Sequence, residues 1–233
     1  MENDSLYNET SELIEINRNM SANNNVERQK IVESLKDGIA NGTFKPGQRL
    51  VELHLSKIFG VKRSKIREAL RKLEQDGFVK IVPNVGAMVP EFSQKDIEHR
   101  YDLVCVLEGL AVRVITPFIT AEQIESLEVF INKMEATDKS PLFHEYNMEF
   151  HSFITDLSEN DHLIKLTQNL RFSLRYAALQ SMSSPGQMKA SIKEHRKIFE
   201  AIKEGKAVKA EQLTRNHLLR AKNRLIKYLN KSL

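Results

Sequence analysis

GVKRSKIREALRKLEQDG, residues 60–77, is the stretch on which the fold turns. Six basic side chains (Lys62, Arg63, Lys65, Arg67, Arg71 and Lys72) crowd its start and middle, while Ile66, Leu70 and Leu73 recur at helical spacing. Apolar residues three and four apart line one face of a helix. The segment is therefore expected to bury one stripe and to turn cations outward from its first turn. Such a helix is shaped for a DNA groove, with its N-terminal residues at the base edges and Lys and Arg on the phosphates. Arg63 and Arg67 share a face, and either fork can grip guanine O6 and N7. Arg71 and Lys72 lie further along and suit backbone contact or solubility. The plainer reading is a solvated charged helix; the position of the charges at the helix start argues against it.

Outward from this segment the pattern is consistent. Ile31, Leu35 and Ile39 recur at four-residue steps, Asn41 to Gly47 form a turn, and Val51, Leu53, Leu55 and Ile58 suit a second short helix ended by Gly60. After the Gly77 stop signal, Phe78 to Val82 and Ala87 to Val89 flank the Pro83-Asn84-Val85-Gly86 turn, the pattern of a β-hairpin. Three helices and a hairpin make a winged helix-turn-helix domain over residues 26–91. Residues 1–25, acidic and asparagine-rich, read as a flexible polar leader, with a recruited partner helix near Ser11 to Ile16 as the alternative.

Residues 92–233 carry long amphipathic patterns and no strand signal. Ser93 is placed to cap one helix, and Thr120 to Gln123 form a capping box for another. Further helices are expected over 142–157, 160–180, 187–204 and 207–230. The fold class is thus mainly α, with an all-α antiparallel bundle behind the DNA-binding domain. Leu218, Leu225 and Leu229 fit either packing within that bundle or packing across a dimer.

The formal net charge of +4 is unevenly spread: −4 over residues 1–25, +5 over 26–92 and +3 over 93–233. The excess is densest where the groove reader lies, which favours a nucleic-acid partner. No apolar run approaches the roughly 20 residues that span a bilayer, and the N-terminus has no secretion pattern. The one cysteine, Cys105, sits in an apolar run and reads as a small buried residue. A cytoplasmic protein is expected.

Gly47-Gln48-Arg49-Leu50, the run from Gly60 to Leu70, and Asn84-Val85-Gly86-Ala87 together resemble the GntR family of bacterial transcription regulators. The C-terminal half is similar to the FCD, or fatty-acid-regulator-like, branch. The resemblance spans roughly residues 28–228. It implies a homodimer on a palindromic double-stranded operator, acting as repressor or activator. Lys62, Arg63, Ser64, Lys65 and Arg67 would stand in the recognition helix and Gly86 in the wing. The chain departs from the family pattern at three of these places. Lys62 replaces a capping Ser or Thr, Leu53 stands near a common Arg, and Val85 replaces a basic wing residue.

The resemblance also implies a metal site. His151, His195 and His217 fall where FCD domains place ligands, and Asn147, one turn before His151, stands where many relatives have Asp. Three imidazoles suit a divalent transition metal (Zn, Ni or Mn) with open positions. A neutral amide leaves such an ion its full charge, which implies weaker metal binding and stronger attraction for an anion than in Asp-bearing relatives. A small organic-acid effector is expected, rather than a fatty acyl thioester. Relatives often meet it with an Arg where Val104 stands here; Arg171 and Arg175 are candidates to supply the missing cation.

From residue spacing alone, packing histidines are the favoured explanation, and it is the resemblance that favours the metal. A metal-dependent hydrolase built on the three histidines is the alternative function, with Glu149 or Glu194 as base. It lacks HExxH, a nucleophile triad or a phosphate-binding glycine loop. A structural metal with no effector is a third reading.

Overall fold

The computed structural model describes residues 24–181 and 185–230, apart from the side chains of residues 24–26, 172–173, 175–181 and 185. Most of the proposed leader lies outside the described residues. Its last two positions, Asn24 and Asn25, do not belong to it: they open the first helix. The described chain divides into two compact units at Phe92–Ser93.

In the first unit, α1 (Asn24–Ala40), α2 (Glu52–Phe59) and α3 (Arg63–Gln75) surround a core that includes Ile31, Leu35, Leu55, Ile66, Leu70 and Leu73. The spacing of those residues is what makes each helix amphipathic. Gly60, at φ 65°, ends α2 in the left-handed conformation that glycine adopts without strain. The hairpin is shorter than its apolar run suggested, with β2 at Lys80–Val82 and β3 at Gly86–Met88. Phe78 and Val79, both buried, precede the strand, and the Phe78 N–H donates to the Leu73 carbonyl at 2.8 Å in the turn that ends α3. A third strand, β1 (Arg49–Leu50), adds to β3, giving an antiparallel sheet of order β1-β3-β2. Asp76 ties this unit together, accepting from Lys36 of α1 at 3.1 Å and Lys72 of α3 at 2.8 Å.

The second unit is a bundle of α4 (Gln94–Ile115), α5 (Ala121–Ala136), α6 (Ser140–Asp156), α7 (Asp161–Ser181), α8 (Pro185–Lys203) and α9 (Ala207–Leu229). Both expected caps form: Ser93 and Asp96, and Thr120 and Gln123, bond reciprocally as capping boxes. The core gathers Leu127, Ile131, Met134, Phe143, Phe150 and Phe199. Helix α4 packs along α9. Gly109 permits their close approach, since a Cβ there would lie 2.7 Å from Arg215 Nε and 2.9 Å from its Cγ. Leu218 and Leu225 are buried inside the bundle, which resolves their alternative packing. No described helix is long and apolar enough to cross a membrane.

Candidate functional site

The first unit presents the start of α3 to solvent. Lys62 occupies the N-cap position and makes no side-chain cap, although its carbonyl accepts from the Lys65 N–H at 3.0 Å. Lys62, Arg63, Ser64 and Arg67 are exposed and Lys65 is half-buried. The two arginines are not independent. Arg67 donates from Nε and Nη2 to the Glu52 carboxylate at 3.0 and 2.9 Å, and Arg63 reaches the same carboxylate at 3.4 Å. The Arg67 hydrogen bonds, helped by Arg63, hold Glu52 below the usual carboxylate range against its partial burial. With the arginine side chains 58% and 54% exposed, each keeps most of its surface available to a partner.

Gly86 is exposed at the wing tip with φ 102°, next to Asn84 at φ 62°. A side chain at 86 would be strained, and the bare backbone lets the wing approach another surface closely. Arg49 of β1 lies beside this glycine, with Nε 3.9 Å from where a Cβ would be. A cation therefore flanks the wing although Val85 itself is apolar, and the sequence hid it because β1 forms only by pairing with β3.

In the second unit, α6, α8 and α9 bring His151, His195 and His217 together, fully buried, with candidate ligand nitrogens within 4.8 Å of one another. Their outer nitrogens are fixed. His151 Nδ1 lies 2.7 Å from Glu108 Oε2, His195 Nδ1 2.8 Å from the Ser191 carbonyl, and His217 Nδ1 2.7 Å from Glu194 Oε2. A carbonyl or carboxylate can only accept, so each Nδ1 carries the hydrogen and each neutral ring turns an Nε2 lone pair inward. Burial pushes all three imidazoles down, His151 to about 4, so the neutral form holds near neutral pH. The Nε2 atoms of His151 and His195 then face each other at 3.0 Å with no proton between them. A cation at that point satisfies both, so the donor set fits a divalent transition metal. Asn147 lines the adjoining cavity, one turn before His151.

Sequence reasoning missed Glu108, which is 2% exposed. Burial alone pushes it up, yet Arg171 and His151 overcome that and hold its carboxyl at about 2. Arg171 donates from Nε to Glu108 Oε1 and from Nη2 to Oε2 at 2.6 Å. Two of the three guanidinium nitrogens of Arg171 are thus taken up by Glu108, while Nη1 lies 3.7 Å from Met148 Sδ and the residue lines the cavity. The side chain of Arg175 lies outside the described residues. Glu194, considered above as a base, is engaged by His217 and by Arg220 at 2.6 Å.

Residues 27–89 match the family described as bacterial regulatory proteins, gntR family, and residues 99–220 match the FCD domain. The uncharacterized HTH-type transcriptional regulator YdhC of Bacillus subtilis (strain 168) is 33% identical over 190 residues, covering 79% of this chain and 83% of its own. The HTH-type transcriptional repressor RspR of Escherichia coli (strain K12) is 26% identical over 82% of this chain and 85% of its own. A solved GntR transcriptional regulator from Rhodococcus sp. RHA1 has the same fold, with a TM-score of 0.74 at 22% identity over 87% of this chain and 98% of that one.

Proposed function

The chain belongs to the GntR family of bacterial transcription regulators and carries an FCD domain, and from that premise we propose that it binds a palindromic operator as a homodimer under the control of a small carboxylate effector. The observation that supports this most strongly is the exposed, uncapped, cation-bearing start of α3 beside a wing. In this reading Arg63 and Arg67 read bases, while Lys62, Ser64, Lys65 and the Gly86 wing hold the backbone. The test is a gel shift on DNA flanking the protein's own gene, repeated with small organic acids and with chelator. Binding no tighter than to unrelated duplex would overturn the reading. The hydrolase alternative gains nothing from the relatives, which are transcription regulators.

The homodimer has support on α4. Leu103, Val106, Leu110 and Val114 recur on one face and are 42–55% exposed, while the opposite face is buried in the bundle. A stripe of this kind suits a self-complementary two-fold contact. Leu110→Lys is expected to convert a dimer to a monomer at micromolar concentration in sedimentation velocity. A wild-type protein that already sediments as a monomer excludes the dimer.

The bundle is proposed to hold one divalent ion on His151, His195 and His217, with Asn147 as a neutral fourth donor. Asn147→Asp should tighten metal binding by about tenfold or more, the scale on which single changes around a metal act. Competitive titration against a chromogenic chelator measures it. Unchanged or weaker affinity removes Asn147 from the site.

A further inference from the structure

The cavity beside the three histidines measures about 60 Å³ and is lined by Tyr101, Asn147, Arg171 and Arg224, among others. Arg224, on α9, differs from every other cation around it. Its Nε and Nη2 are buried with no hydrogen-bond partner among the described residues. Both neighbouring carboxylates are occupied: Glu108 by Arg171 and His151, and Glu194 by His217 and Arg220. Residues 172–185, whose side chains are largely outside the description, contain no Asp or Glu that might pair with it.

Buried guanidinium donors left without an acceptor are costly, and supplying that acceptor is what a bound anion does. A guanidinium presents a planar fork, which a carboxylate matches with two parallel hydrogen bonds. A space of about 60 Å³ suits a carboxylate with a few carbons. We infer that Arg224 is the anchor for the carboxylate of a small organic acid bound in this cavity, in the role first expected of Arg171 or Arg175. This rests on the effector reading above and adds the residue and the size class. Tyr101, whose burial pushes its phenol up to about 12, stays a neutral donor facing the same space.

The test is calorimetric titration of the protein as purified with acetate, malonate and succinate, using acetamide and succinamide as uncharged counterparts. At least one carboxylate should bind wild type and its amide should not. Arg224→Met should weaken that binding by at least tenfold, and Arg224→Lys, which keeps the charge but loses the fork, should retain part of it. Without ligand, Arg224→Met should melt at the same temperature as wild type or higher, because two buried donors without an acceptor are gone. Carboxylate binding undiminished in Arg224→Met overturns the anchor and leaves the effector reading standing. No binding by any carboxylate to wild type overturns both. A lower ligand-free melting temperature in Arg224→Met shows that Arg224 has a partner within the protein and also overturns the inference.

Discussion

Replacing Arg63 with alanine is expected to abolish the preference for the operator over unrelated duplex while leaving a residual, salt-sensitive attraction. One bidentate arginine–guanine contact discriminates by about 1–3 kcal/mol, or roughly 5- to 150-fold. A dimer uses the contact twice, so the combined loss of about 2–6 kcal/mol overlaps the roughly 4–10 kcal/mol that separates specific from non-specific complexes. Lys62 provides the contrast. As a phosphate contact at the uncapped end of α3, its replacement should weaken all sequences alike and lower the salt slope by about one. Because Arg63 and Arg67 lean on the same Glu52 carboxylate, their replacements should not add. A competition gel shift that shows Arg63→Ala still choosing the operator over random duplex would reassign the reading residues.

Much of the fold was legible, and for local reasons. Ile66, Leu70 and Leu73 announce α3, and all are buried; Ser93 and Thr120 announce α4 and α5 through capping geometry that depends on four consecutive residues. What depends on pairing across distance was not legible. β1 is two residues long and exists only against β3. The three histidines lie on three helices, and their convergence was expected from family resemblance, not from spacing. The Glu108 partner of Arg171 was not legible either: the i, i+4 relation to Arg175 suggested an open basic face, whereas that partner stands 63 positions away on α4. Glu108 did leave a trace. It sits one turn from Val104 and from Val112, on the apolar stripe that α4 buries, where a lone carboxylate demands a partner.

Glu108→Gln should destabilise the helical unit by about 3–5 kcal/mol, because it strands the Arg171 guanidinium in a buried site. The glutamine carbonyl still accepts from His151 Nδ1, so the imidazole keeps its orientation and metal affinity should fall by no more than about 10–100-fold. Glu108→Leu removes that acceptor too and should lose more metal. The acid limb of stability carries the same signature. Glu108 titrates at about 2 in the fold against about 4.3 in an open chain, so its contribution is complete above roughly pH 4.3 and disappears as pH falls toward 2. His151, depressed to about 4, adds a contribution that is complete above roughly pH 6.5 and lost on the way down to 4. The Gln variant should lack the lower of these two steps. Pairing Glu108→Gln with Arg171→Met removes both charges and should recover most of the loss, since an apolar replacement for a buried ion pair is often neutral or better. Urea melts followed in the helical unit measure all three variants. If the single replacement is as stable as wild type, Arg171 has another counter-ion and the Glu108 pair is not what holds the histidines in place.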